Sequence, residues 1–93
     1  MLSLFGTGMS DDLRRKRLHY RSWHRGTKEM DLLLGGFADR HLAEFSPAQL
    51  DRFEALLQNS DPDIYTWISG REPIPEAHDD DVMALLRNFK IKI

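Results

Sequence analysis

The stretch whose residue types are best suited to chemistry is "RGTKE", which contains Arg25, Gly26 and Glu29. An arginine donates charge-assisted hydrogen bonds, a carboxylate accepts them, and a glycine lets another backbone approach closely. Aromatic and cationic side chains stand just before this stretch; they are Tyr20, Arg21 and His24. Arginine and aromatic anchors of this kind are typical of a protein-binding surface.

The spacing within RGTKE is also that of an ordinary helix junction. Gly26 either ends one helix with a positive φ or begins the next helix as its N-cap. In the second case Glu29 is the N3 residue, and its side chain reaches back to the cap. Arg25 is then a last-turn cation, which interacts favourably with the helix dipole. Taken by itself, the spacing favours this structural explanation.

No pattern in the chain indicates a catalytic or a metal site. Cysteine is absent, and the four histidines form no HxxxH pair; they are His19, His24, His41 and His78. No Ser/His/Asp grouping and no glycine-rich phosphate loop stands out. A small helical domain also has little room for a cleft of about 300 Å³ or more. We therefore predict no metal, no catalytic residue and no enzymatic activity.

Charge is distributed unevenly along the chain. Residues 14–28 carry seven bases and no acid, whereas residues 29–81 carry thirteen acids against three arginines. A basic helix over residues 14–25, with Tyr20 and Trp23 available to stack on bases, leaves nucleic-acid binding as an alternative function. The acidic remainder of the chain and the overall pI of about 6.0 argue against it. We expect no nucleic-acid partner.

Apolar periodicity and capping signals divide the chain into five helices, and no strand pattern competes with them. The predicted segments are Asp11–His24, Thr27–Ala43, one from Pro47, one from Pro62 and one after Asp79–Asp81. Asp61 is the expected N-cap of the fourth helix, and Gly70 is expected to end it. The connections between the segments are short, which predicts that neighbouring helices pack against each other.

Each predicted helix has a set of candidate core residues. In the first helix the apolar side is thin and consists of Leu13, Tyr20 and Trp23, with Leu18. In the second it is a continuous stripe of Met30, Leu33, Leu34, Phe37 and His41. In the fifth it is Val82, Leu85, Leu86 and Phe89. Because two adjacent glycines cost about 2 kcal/mol in a helix interior, Gly35-Gly36 predicts a kink or a closely packed second helix.

These segments predict one compact all-α domain, a five-helix single domain over residues 11–93, preceded by a disordered extension over residues 1–10. The N-terminus has neither the features of a signal peptide nor those of a mitochondrial transit peptide, and Met9 is an alternative start. No apolar run approaches the roughly 20 residues of a membrane span. We expect a monomer of the bacterial cytoplasm that does not insert into a membrane.

The segment "RKRLHYRSWHRGTKEMDLLLGGFADRHL" resembles the FAD assembly factor family that serves succinate dehydrogenase. The hallmark of that family is Arg-Gly-x-x-Glu, matched here by Arg25, Gly26 and Glu29, and followed by an aspartate that matches Asp31. The later stretches "DPDIYTWISGREPIP" and "VMALLRNFK" are similar to its second half. The resemblance covers about residues 12 to 90. One departure is His24, where the family often has arginine. A histidine at this position would make partner binding depend on pH.

The resemblance implies a five-helix assembly chaperone that binds the flavoprotein subunit of succinate dehydrogenase, and also that of fumarate reductase. It implies that the factor promotes covalent attachment of FAD to a histidine of its partner, which supplies the nucleophile. FAD then belongs to the partner, and the factor needs no cofactor of its own. By the same resemblance, the partner-binding residues include Arg25, Gly26 and Glu29, with Glu29 both holding the turn and meeting a partner donor. Flanking contact residues are Tyr20, Arg21, His24 and Asp31.

Overall fold

The computed structural model describes the backbone of residues 2–92 and the side chains of residues 11–89. Its α-helices are α1 (Leu2–Trp23), α2 (Lys28–His41), α3 (Pro47–Leu57), α4 (Asp61–Ile68) and α5 (Asp81–Lys92). Two short 3-10 helices span Leu42–Glu44 and Glu76–His78. No strand occurs within residues 2–92, so the predicted all-α class with five α-helices is confirmed. The chain divides into two compact units, residues 1–47 and residues 48–93.

The first helix begins earlier than predicted. Its expected start was about Asp11, but α1 begins at Leu2. No proline occurs in residues 2–10, so the helix can continue past the acidic residues that resembled a start signal. The disordered extension predicted for residues 1–10 lies outside the residues whose side chains are described, and it stays a prediction.

The core of the first unit forms where α1 packs against α2. Most of the stripe predicted for α2 lies in it: Met30, Leu33, Leu34 and Phe37 are buried, and His41 is half-buried. The predicted apolar side of α1 is right for two of its four residues, because Leu18 is buried and the Trp23 ring packs against Gly35. Leu13 and Tyr20, however, are 48% and 62% exposed. The inward positions of α1 instead carry polar residues, among them the buried Ser22, whose hydroxyl donates to the backbone oxygen of Leu18 at 2.7 Å.

Arg15 also turns inward from α1 and ties down the chain after α2. Its guanidinium donates to the backbone oxygens of Leu42 at 3.3 Å and Phe45 at 2.8 Å. These carbonyls belong to the irregular end of the helical segment, where intrahelical partners run out. One of the seven bases of residues 14–28 is therefore a structural link within the first unit.

Gly35 provides a close approach between α1 and α2, as the glycine pair predicted. It is buried, and a Cβ atom at this position would overlap the indole ring of Trp23. The absence of a side chain therefore allows the ring to lie directly against the α2 backbone. Trp23 itself is half-buried, because the rest of its ring remains at the surface.

The second unit contains α3, α4 and α5. Its buried apolar residues are Leu50, Phe53, Leu56, Leu57, Ile64, Trp67, Ile68, Val82, Met83 and Leu86. Leu85 and Phe89, expected in the core, are half-buried. The N-cap of α4 is Ser60 rather than Asp61, because the Ser60 hydroxyl accepts from the backbone N–H of Asp63 at 3.3 Å. Gly70 ends α4 as predicted, with φ at +80°.

Candidate functional site

At the turn between α1 and α2, Gly26 takes only one of the two roles that the sequence allowed. Thr27, not Gly26, is the N-cap of α2, and its hydroxyl accepts from the backbone N–H of Met30 at 3.3 Å. The prediction that places Glu29 at N3, reaching back to a Gly26 cap, is therefore wrong. A hydroxyl can accept this hydrogen bond and a glycine cannot. Gly26 takes the other expected role, with φ at +119° just after α1.

Asp31 holds the turn from within α2. Its Oδ1 atom accepts from the backbone N–H of Arg25 at 2.6 Å and from that of Gly26 at 3.3 Å. The side chain is half-buried, and two donors that no helix satisfies converge on it. The structural role expected of Glu29 is therefore carried by Asp31 together with Thr27.

Replacing Asp31 by alanine should lower the free energy of unfolding by about 1–2 kcal/mol, because two backbone donors lose their acceptor. Urea unfolding followed by circular dichroism measures this change. Asp31→Asn is the matched control: it keeps one acceptor oxygen and should lose less. Equal midpoints for wild type and Asp31→Ala would show that the turn does not depend on this carboxylate.

Next to this turn, one surface is open to solvent. Gly26 has no atom within 4 Å of the place where a Cβ would stand. Glu29 is exposed, and within the described residues its carboxylate has no hydrogen-bond or ion-pair partner. Leu32, one helical turn after Glu29, is 54% exposed. We refer to Arg25, Gly26, Glu29 and Leu32 as the corner surface; Arg25 is half-buried, and the other three offer a carboxylate, an apolar side chain and accessible backbone.

The last turn of α1 brings the flanking candidates next to the corner surface. The rings of Tyr20 and His24 are stacked, with centroids 3.9 Å apart and an interplanar angle of 18°. His24 donates through Nδ1 to the backbone oxygen of Tyr20 at 2.7 Å, which orients the imidazole. Arg21 is half-buried on the same turn. The stacked pair is exposed and forms a rigid aromatic edge beside the turn.

A groove that sequence reasoning missed lies between α1 and the end of α2. Its volume is about 620 Å³ and its lining consists of Arg15, Lys16, His19, Tyr20, Trp23, His24, Ala38, Asp39, Leu42 and Ala43. The expectation that the chain has little room for a cleft of this size is wrong. Small side chains at Ala38 and Ala43 leave the space, and their spacing from the α1 residues gave no signal of it.

Three polar groups are joined in one wall of the groove. The Oδ1 atom of Asp39 accepts from His19 Nε2 at 2.5 Å and from Trp23 Nε1 at 3.2 Å. These hydrogen bonds, from His19 first and from Trp23 second, hold the pKa of Asp39 below its ordinary value of 3.8. His19 and Trp23 are one turn apart on α1, but nothing in the sequence connects either of them with Asp39.

The lowered pKa of Asp39 predicts a contribution to stability that depends on pH. Because its folded-state pKa lies below the unfolded value, the contribution is complete above about pH 4 and is lost as the pH falls through the folded pKa. The carboxylate is half-exposed, so solvent limits the effect to about 1 kcal/mol or less. Wild type should exceed Asp39→Asn in urea midpoint at pH 7, and the gap should narrow as the pH falls below about 4. A gap of constant size would contradict this.

The described part of the chain also bears on metal binding and on membrane insertion. Among the described residues, no group of three or more His, Cys, Asp or Glu side chains is placed to hold a metal ion. The absence of a metal remains a prediction. Of the described helices, none is both long enough and apolar enough to cross a membrane.

Comparison with known proteins gives a match over most of the chain. A family model described as "Flavinator of succinate dehydrogenase" matches residues 16–90. Succinate dehydrogenase assembly factor 2, mitochondrial, of Dictyostelium discoideum is 40% identical over 74 residues, which cover 80% of this chain and 52% of that protein. The namesake from Debaryomyces hansenii is 45% identical over 73 residues, covering 75% of this chain and 51% of its own length.

A bacterial protein also matches. The FAD assembly factor SdhE of Acetobacter pasteurianus is 38% identical over 73 residues, which cover 75% of this chain and 67% of that protein. The chain thus spans about half the length of the mitochondrial relatives and two thirds of the bacterial one. Because both mitochondrial and bacterial proteins match, the location of this chain in the bacterial cytoplasm stays a prediction.

Proposed function

Since this chain belongs to the family of flavinators of succinate dehydrogenase, we propose that it binds the flavoprotein subunit of that enzyme and promotes covalent attachment of FAD to it. The names of its relatives support this assignment: they are assembly factors of succinate dehydrogenase and an FAD assembly factor. The prediction that the chain is not an enzyme is confirmed by its membership of an assembly-factor family.

The observation that carries the proposal is that Glu29 is not needed for the turn. Thr27 and Asp31 satisfy the backbone donors there, and the Glu29 carboxylate stays exposed without a partner in the described part of the chain. Gly26 beside it leaves its backbone open. A carboxylate that the fold does not use, next to an accessible backbone, is available to receive donors from another protein.

Leu32 adds apolar area to the same surface. Large exposed apolar side chains next to polar hydrogen-bonding groups are what a specific protein interface buries at its centre. In this arrangement Leu32 supplies burial, Glu29 and Arg25 supply directed polar contacts, and Gly26 permits close approach. Tyr20 and His24 extend the surface as a rigid aromatic edge.

In the proposed mechanism the chain acts by binding alone. Attachment of FAD to a client histidine would be the client's own chemistry, and this chain would stabilise the client conformation in which that histidine lies close to the flavin. Binding energy is thus converted into orientation, which is worth several kcal/mol of an activation barrier. FAD stays with the client, and this chain works as a monomer without a cofactor. The flavoprotein subunit of fumarate reductase is a second proposed client.

The nucleic-acid alternative receives no support. Within the basic segment of α1, Arg15 is already bound to the backbone oxygens of Leu42 and Phe45. The matching relatives carry assembly-factor names.

Covalent flavin on the client tests the proposal. The succinate dehydrogenase flavoprotein is expressed in cells that lack their own assembly factor, with and without this chain, and flavin fluorescence is read in a denaturing gel. The chain should raise the fluorescence of the client band well above the level without it. Equal fluorescence at equal client amounts would overturn the proposed function. The fumarate reductase flavoprotein is tested in parallel lanes.

A further inference from the structure

The groove between α1 and the end of α2 has an apolar floor. Ala38 and Leu42 are 2% and 4% exposed at its base, and Ala43 is a small exposed side chain at its edge. The wall on the α1 side is aromatic, with Trp23 set back against Gly35 and Tyr20 stacked on His24. A space with such a floor and wall favours an apolar or aromatic side chain over a polar one.

The rim of the groove is positive. Lys16 is exposed there, and the Arg15 guanidinium beside it is fixed by two backbone oxygens without losing its charge. The one acid in the lining, Asp39, already accepts hydrogen bonds from His19 and Trp23. Residues 14–28 contain seven bases and no acid, so the surrounding field is positive as well.

Building on the function proposed above, we propose that the groove is a second contact site for the flavoprotein subunit. In this proposal the groove receives an apolar or aromatic side chain of the subunit, and acidic residues stand on both sides of that side chain in the subunit's sequence. The apolar side chain fills the space over Ala38 and Ala43, and the carboxylates meet Lys16 and the rim. A nucleic acid fits less well, because the aliphatic floor offers no hydrogen bonds to base edges and Asp39 faces into the groove.

Charge reversal at the rim tests the electrostatic part. Lys16→Glu should weaken binding of the purified flavoprotein subunit, free of covalent flavin, at least tenfold at 50 mM salt, measured by biolayer interferometry. Arg17→Glu is the matched control, since Arg17 is the next residue on α1, is also exposed, and does not line the groove. It makes the same charge change and should weaken binding less than threefold. Equal losses of affinity for both variants would show that the basic residues attract the subunit only through the general positive charge of α1. That result would overturn the proposed site.

Filling the groove tests the steric part. Ala43→Leu places three extra carbons at its edge and should weaken binding at least tenfold. Ala84→Leu, at an exposed position of α5, is the control and should bind like wild type. Circular dichroism checks that the variants are folded, which is expected because both alanines are exposed. Wild-type affinity for Ala43→Leu would overturn the proposal.

These measurements separate the groove from the corner surface. If wild type binds and Glu29→Gln weakens binding, but Lys16→Glu and Ala43→Leu bind normally, the groove proposal fails and the proposed function stands. If wild type does not bind the subunit at all, both fail. If Ala43→Leu changes the sedimentation of the chain alone, the groove joins two copies of the chain, and the proposal is also overturned.

In NMR spectra, the indole N–H signals of the two tryptophans report which kind of molecule binds in the groove. Trp23 lines the groove, while Trp67 belongs to the second unit and serves as an internal reference. A peptide Glu-Glu-Phe-Glu-Glu at millimolar concentration should shift the Trp23 signal and leave that of Trp67 in place. Lys-Lys-Phe-Lys-Lys should shift neither. A shift of Trp23 by oligothymidine but not by the acidic peptide would assign the groove to nucleic acid and overturn the proposal.

Discussion

Replacing Glu29 by glutamine should lower covalent flavin on the client at least tenfold while the chain stays folded. The carboxylate is exposed and has no partner in the described part of the chain, so its loss removes at most its favourable position near the α2 N-terminus. That contribution is about 1 kcal/mol or less. At an interface, by contrast, truncating one member of a buried charged hydrogen bond costs about 2–5 kcal/mol. A loss of about 1.4 kcal/mol already corresponds to a tenfold change in affinity.

The control for this variant is Asp63→Asn. Asp63 is likewise an exposed acid in the first turn of a helix, α4, so the change removes a comparable charge from a comparable helix position. It should leave both folding and flavin attachment near the wild-type level. The account would be contradicted if Glu29→Gln supported wild-type flavin attachment. It would also be contradicted if Glu29→Gln unfolded the chain, because Glu29 would then be structural.

Replacing Gly35 by alanine should strongly destabilise the first unit. The new Cβ would lie within 2.6 Å of Cε3 of Trp23 and closer still to two other ring carbons. A rigid ring cannot yield as a flexible chain end can, so the indole must move and its hydrogen bond to Asp39 is lost with it. We expect the free energy of unfolding to fall by about 2–3 kcal/mol, even though alanine is the better helix former. Urea unfolding at pH 7 measures this.

A double-mutant cycle isolates the cause. In a Trp23→Ala background the obstructing ring is gone, and Gly35→Ala should then be neutral or stabilising by up to about 1 kcal/mol, from helix propensity. The change of sign between the two backgrounds is the signature of a steric conflict with Trp23. The same loss of stability in both backgrounds would show that something other than the indole requires glycine.

Features that depend on residues close in the chain were predictable. The five helices follow from capping signals and from a 3.6-residue period, and the stripe from Met30 to Phe37 is buried as that period requires. The glycine pair predicted a kink or a close approach, and the close approach is found at Gly35, because two glycines in a helix interior have a cost that needs a structural reason. Each of these conclusions uses only neighbours within one or two helical turns.

Features that join distant residues were not predictable in the same way. The inward face of α1 carries Arg15 and Ser22, whose polar groups are satisfied by backbone oxygens, so hydropathy alone pointed to Leu13 and Tyr20 instead. The assignment of the turn to Asp31 rather than Glu29 depended on which carboxylate reaches the free N–H groups. Family resemblance located the corner, but only the geometry separated the residues that build it from those left open.

The central claim, that the corner surface contacts the flavoprotein subunit, is tested most directly by site-specific photo-crosslinking. A benzophenone amino acid replaces Lys28, which is exposed between Gly26 and Glu29, in cells that also express the client. A second chain carries it at Glu76, an exposed position of the second unit, for comparison. We predict a crosslink from position 28 to the flavoprotein subunit that is lost when Glu29→Gln is added. Flavin attachment by the position 28 chain without any crosslink to the subunit would contradict the account.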